Sequence, residues 1–237
     1  MPEVSIWLLG PPILERAGQR VNVDTRKAIA LLAYLAVAQR PVSRAALAVL
    51  LWPDYDQKRA AANLRRTLWS LHAALGEGAL ELSADLVALA GGDRSPHIQI
   101  DVLEYQRLLA QTNSHGHGAA EVCEQCLAPL SAAANLVRGD FLEGFTLRDS
   151  TEFDDWQTLT TASLRNSLVE CLRKLAAIQI REGDLAAAKE AARRWASLDM
   201  LDQAAAEQLM LLLAWTGDHA GALRVYRDLQ RALQQEL

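Results

Sequence analysis

At 237 residues, with 51% hydrophobic and 22% charged side chains, the sequence has the composition of a folded chain with one large core or two modest ones, which excludes disorder over its bulk. No run approaches the ~18–20 uncharged apolar residues of a membrane span, and the first residues lack the basic-then-apolar pattern of a secretory signal, so a cytoplasmic location is expected. The net charge of −5 is unevenly placed: residues 1–100 hold 11 Lys+Arg against 9 Asp+Glu (net +2) and the remainder 13 against 20 (net −7), so the first half is the candidate for a polyanion partner.

In chain order, Val4–Leu9 and Val21–Val23 are short, β-branched and aromatic, and are broken by Gly10-Pro11-Pro12 and Gly18, which predicts a small antiparallel sheet. A helix follows from about Thr25, capped by Asp24 or Thr25, with Ile29, Leu32 and Ala36 as its apolar stripe and Arg40-Pro41 as its stop. Ser43 is the N-cap expected for a second helix through Leu47, Leu50 and Leu51, ended by Trp52-Pro53. The third helix, from Asp56 to Gly76, buries Leu64, Leu68, Leu71 and Leu75 at 4, 3 and 4 spacing and turns Arg59, Ala62, Arg66 and Ser70 outward. Leu80-Glu81-Leu82 and Leu86-Val87-Ala88-Leu89 around Ser83-Ala84-Asp85 read as a hairpin. Sheet, three helices and terminal hairpin are the element order of a winged helix-turn-helix, assigned to residues 1–97.

From Asp101 onward the pattern is all helical, rich in Ala and Leu, with breaks at Asn113–Gly118 and Gly139–Gly144. An offset of 34 residues superposes Gly183-Asp184 on Gly217-Asp218, Ala186 on Ala220, Ala188 on Ala222 and Arg193 on Arg227, the period of tetratricopeptide helix pairs. Ala222 and Tyr226 fit a small-then-aromatic packing step, and the helices from Thr151 to Arg181 are expected to complete the stack. Residues 98–237 are therefore assigned to a tetratricopeptide-like helical domain, and the fold class is mainly α.

Four cations and no acid lie between Lys58 and Arg66 in a chain that is acidic overall. Guanidinium groups neutralise phosphates and release counterions, and one can also grip guanine with two hydrogen bonds. In a third helix followed by a hairpin, that charge predicts a major-groove recognition helix. Arg66 and Ser70 are placed to read bases, Asn63 to pair with adenine, and Lys58, Arg59 and Arg65 to hold phosphate. Trp69, at the edge of this face, is expected to pack under the N-terminal sheet.

Cys123-x-x-Cys126 with His115-x-His117 offers the ligand types of a zinc site, but one cysteine pair beside a Gly-rich loop reads more simply as two thiols on one side of a helix and two solvated histidines. The three cysteines cannot all pair with one another, and a reducing cytosol would keep them as thiols. No metal or other cofactor is expected. The chain has no GxxxxGK, GxGxxG, GxSxG or HExxH motif, so no enzyme is expected either.

A wider set of motifs carries a family resemblance over almost the whole chain. These are Trp7-Leu8-Leu9-Gly10, Arg26-Lys27-Ala28 with Leu31-Leu32-Ala33-Tyr34-Leu35, Pro41-Val42-Ser43-Arg44, Leu51-Trp52-Pro53-Asp54 and Ala62-Asn63-Leu64-Arg65-Arg66, followed by Leu71 and Ala74-Leu75-Gly76. The second half adds Gly139-Asp140-Phe141-Leu142, Phe153, Trp156, Gly183-Asp184 and Ala222-Leu223. In these the chain resembles the Streptomyces antibiotic regulatory proteins, which join an OmpR-type winged helix to a bacterial transcriptional activator domain. The resemblance implies an activator that binds direct-repeat promoter DNA as a homodimer and recruits RNA polymerase. It also implies that the loop Trp52–Gln57, with Trp52, Asp54, Tyr55 and Asp56, touches polymerase. Related wings carry an arginine for the minor groove, whereas this turn has Asp85, leaving Arg94 as the nearest cation. Gln234–Leu237 stop inside a helical pattern where relatives continue, so a larger regulator is expected. The rival reading is a protein-interaction scaffold, or a regulatory module of a larger signalling protein, with little DNA affinity.

Overall fold

The computed structural model describes residues 3–23, 25–90, 98–114 and 122–236. By internal contacts the chain divides into two compact units, one made of residues 1–106 and 136–162 and the other of 107–135 and 163–237. The boundary expected between residues 97 and 98 falls at the edge of an undescribed stretch.

The first unit begins with strands β1 (Val4–Trp7), β2 (Ile13–Arg16) and β3 (Gln19–Arg20), paired antiparallel in that order. Ala17 and Gly18 both adopt positive φ, 51° and 75°, the geometry of a two-residue hairpin turn whose twist suits the flanking strands. Pairing therefore resumes at Gln19, and the strand expected over Val21–Val23 is displaced to Gln19–Arg20. Helix α1 (Arg26–Ala38) starts on Thr25, whose hydroxyl accepts from the Ala28 amide at 3.2 Å. Next come the two-residue strand β4 (Val42–Ser43) and α2 (Arg44–Leu51), capped by Ser43 through the Ala46 amide at 3.1 Å. Helix α3 (Gln57–Leu75) packs on α1 and α2. The hairpin β5 (Leu80–Leu82) and β6 (Leu86–Leu89) forms as expected, and β4 joins it as a third strand, with Val42 opposite Val87.

Two further pieces of chain complete this unit. Strand β7 (Ile98–Ile100) pairs parallel to β1, so residues assigned from sequence to the helical domain extend the N-terminal sheet instead. Beyond it, α4 (Asp101–Thr112) begins, and the segment returning at residues 136–162 lays Phe141 against Leu9 and Gly10, with the Arg138 amide donating to the Leu9 carbonyl at 3.0 Å. Gly10 makes this approach possible, because at φ 129° an added Cβ would lie 3.2 Å from the Arg138 Cβ. Tyr34, Phe141 and Phe153 all surround Trp156 with centroid distances of 4.9 to 5.8 Å. Helix α1 also packs on α2, α3 and β6, so it buries Ala28, Ala30, Leu31, Ala33 and Leu35 as well as the expected Leu32 and Ala36, instead of the single stripe read from sequence, of which Ile29 is only half-buried.

Asp101 ties these pieces together. Its fully buried carboxylate accepts from the amides of Leu8, Leu9 and Val102, each at 2.8 Å, with the Arg138 guanidinium 3.9 Å away. Burial raises its pKa, while the three amides and Arg138 pull it back only in part.

The second unit holds the remainder of α4, a 3₁₀ turn at Glu124–Cys126, α5 (Leu127–Leu136), the later part of α6 (Thr151–Arg181), α7 (Leu185–Leu198), α8 (Gln203–Trp215) and α9 (His219–Glu236). Where several helices were expected over Thr151–Arg181 there is one of 31 residues, and its opening turns fold with the first unit. The 34-residue repeat is visible as two identical turns. Gly183 and Gly217 take φ 81° and 82°, each glycine amide donates three residues back, and each following Asp amide donates five back, to Gln179 and Leu213. This is the Schellman ending of a helix, and glycine supplies the left-handed residue it needs. Each Asp then caps the next helix, Asp184 through Ala187 and Asp218 through Gly221. Ala188, Ala192, Leu209, Leu212 and Leu213 form the core between these pairs, with Ala222 packed on it. Tyr226, expected to pack with Ala222, is instead 53% exposed. Trp195 is buried, and its indole N–H donates to the Asp202 carboxylate at 2.8 Å.

Candidate nucleic-acid interface

Helix α3 begins where the Asp56 carboxylate accepts the Arg59 amide at 2.9 Å, an N-cap that also favours an anion against the positive end of the helix dipole. Its buried side is Ala60, Leu64, Thr67, Leu68, Leu71 and Leu75, so the leucine seam expected from sequence holds at all four positions. The opposite side exposes Lys58, Arg59, Ala61, Ala62, Arg65 and Arg66, while Asn63 and Ser70 flank it half-buried. Lys58, Arg65 and Arg66 make no ion pair among the described residues, so their charge faces solvent. The Arg59 guanidinium lies 4.8 Å over the Tyr55 ring, which steadies it near the start of the helix.

Trp69 departs from the expectation that it packs beneath the N-terminal sheet: it is 73% exposed. Thr67 and Leu68 already occupy the inward arc at this level, and Trp69, three residues after Arg66, falls on the cationic side. The i to i+3 spacing from Arg66 was the available signal. A large exposed indole amid guanidinium groups is the kind of surface that marks an interaction site.

The loop before α3 divides into a buried and an exposed part. Trp52 is 8% exposed and lies under the Lys27 ammonium, which is 5.5 Å from its ring, whereas Asp54, Tyr55 and Asp56 are exposed. Lys27 also donates to the Leu51 carbonyl and pairs with Asp149 at 2.9 Å, fixing the end of α2. The wing is pinned by a residue that sequence reading left unassigned: Arg44 donates its backbone amide to the Asp85 carbonyl at 2.8 Å and its Nε to the Ser83 carbonyl at 3.0 Å. Glu81 and Asp85 are exposed on that hairpin, so its tip is acidic, and Arg94 lies outside the described residues.

Among the described residues no three potential metal-ligating side chains converge, and His115 and His117 lie outside them. No helix among the described residues is long and apolar enough to cross a membrane.

Comparison with known proteins adds two findings. Residues 100–237 match the family model described as the bacterial transcriptional activator domain. Among solved structures, the chain is similar to Mycobacterium tuberculosis EmbR in complex with a low-affinity phosphopeptide, with a TM-score of 0.72, 23% identity and coverage of 100% of this chain. The chain spans 61% of that protein. No curated protein sequence matches.

Proposed function

We propose, from the premise that this chain belongs to the bacterial transcriptional activator domain family, that its winged helix binds promoter DNA through α3 and that the chain activates transcription by recruiting RNA polymerase. The family is one of transcriptional regulators and not a class of enzymes, in keeping with the resemblance read from the sequence. The observation that carries the proposal is the two-sided α3, with a sealed leucine seam on one side and Lys58, Arg59, Arg65 and Arg66 exposed on the other. Arg66 reads bases, with Asn63 and Ser70 at its flank, while Lys58, Arg59 and Arg65 hold phosphate.

Residues 1–97 then act as the DNA-binding domain and 98–237 as the activator domain, and two chains sit side by side on direct repeats. Asp54, Tyr55 and Asp56 offer polymerase an exposed surface shaped from beneath by buried Trp52. The acidic wing tip leaves α3 as the main DNA contact, since carboxylates there repel phosphate.

Titrating promoter fragments at increasing salt tests this reading. Several phosphate contacts make affinity fall by orders of magnitude between roughly 50 and 200 mM salt. A flat salt response, or no retention of promoter fragments at low salt, replaces DNA binding with the scaffold reading.

A further inference from the structure

Away from α3, the 3₁₀ turn at Glu124–Cys126 brings the two cysteines of Cys123-x-x-Cys126 together. The Cys126 amide donates to the Cys123 carbonyl at 3.0 Å across the 3₁₀ turn, and the carbonyl of neighbouring Val122 accepts from Arg181 at 2.9 Å. The two sulfurs consequently lie 3.7 Å apart, with Cys123 half-buried and Cys126 fully buried. The remaining cysteine is an internal control. Cys171 is buried in α6, donates to the Leu130 carbonyl at 3.5 Å, and has its thiol pushed up to about 12 by burial.

We propose that Cys123 and Cys126 form a peroxide-reactive dithiol site that closes to an intramolecular disulfide. Sulfur contact at 3.7 Å is a short step from a disulfide, since the atoms must approach by about 1.7 Å to reach the ~2.05 Å bond. The oxidant is hydrogen peroxide or an organic hydroperoxide, and it meets Cys123 because that thiol has the greater access to solvent. The Cys123 thiolate attacks one peroxide oxygen, an S–O bond forms, the O–O bond breaks, and hydroxide (or alkoxide) leaves with two sulfur electrons transferred. Cys126 sulfur then attacks Cys123 sulfur, an S–S bond forms, the S–O bond breaks, and the departing hydroxide takes the Cys126 proton as water. With hydrogen peroxide the balance is two thiols and one peroxide to one disulfide and two waters. Burial pushes the Cys126 thiol up, which leaves the more accessible Cys123 as the sulfur that meets peroxide first.

The test treats the full chain with hydrogen peroxide, denatures it, alkylates it with iodoacetamide and weighs the tryptic peptide of residues 108–138, which contains both cysteines. The expected result is a peptide about 2 Da lighter than the reduced form and unalkylated, restored by dithiothreitol, with the pair consumed at least about tenfold faster than Cys171. Cys126→Ser should stop the sequence at a Cys123 sulfenic acid that dimedone traps, and Cys123→Ser should remove the response. Three alkylated cysteines after peroxide treatment of the unaltered chain overturn the proposal, as does oxidation of Cys171 at the rate of the pair.

Discussion

In the unit formed by residues 1–106 and 136–162, Asp101 receives amides from Leu8 and Leu9, which precede it by 93 and 92 positions. In the unit formed by residues 107–135 and 163–237, the bonds that shape the repeated turns close within five residues, as from Asp184 to Gln179 and from Asp218 to Leu213. The first unit assembles short strands and helices that have few local reasons to stay together, and it depends on a buried charge with many donors. The second repeats one helix ending and one cap, so each turn carries its own instructions. A long-range polar staple concentrates its effect at one residue, whereas repeated local motifs spread theirs.

Four substitutions break or sharpen that contrast, in decreasing order of expected effect. Asp101→Ala leaves the Leu8, Leu9 and Val102 amides and Arg138 without their anion, and should destabilise by about 3–5 kcal/mol in urea unfolding. An unchanged midpoint would show that the first unit does not rest on this staple. Leu68→Ala should cost about 2–5 kcal/mol by opening a cavity under α3, since Leu68 is only 3% exposed. A melting temperature equal to that of the unaltered protein would mean the helix is rotated from its position here. Arg66→Ala should leave stability alone and weaken binding to a cognate promoter site by about 1–3 kcal/mol, measured by anisotropy. Equal affinity removes Arg66 from the interface. Asp184→Ala removes one cap of the second unit and should cost only about 1 kcal/mol, because Asp218 and the remaining turns are untouched. A loss as large as that of Asp101→Ala would erase the distinction between the two units.

Much of the surface of α3 was legible in the residues. The 4, 3, 4 leucine spacing determined which side of α3 is buried and hence which side carries the cations, and Thr25, Ser43 and Asp56 marked where three helices begin. Gly183-Asp184 and Gly217-Asp218 announced the repeat because a left-handed residue followed by a cap is a local requirement. Trp69 was misplaced because an indole at the edge of a helical stripe can turn either way, and only the neighbours that fill the inward arc decide.

By itself, then, the sequence determined the leucine seam of α3, the caps of α1 and α2 and the repeated Gly-Asp turns, since these act over a few residues and leave a trace in spacing. Tertiary structure alone decided that β7 joins the N-terminal sheet, that Phe141 bridges to Leu9 and Gly10, that Asp101 is a buried hub, and that Arg44 holds the wing. Those outcomes depend on which distant groups meet, and a strand of three residues or a single carboxylate carries no pattern that names its partner.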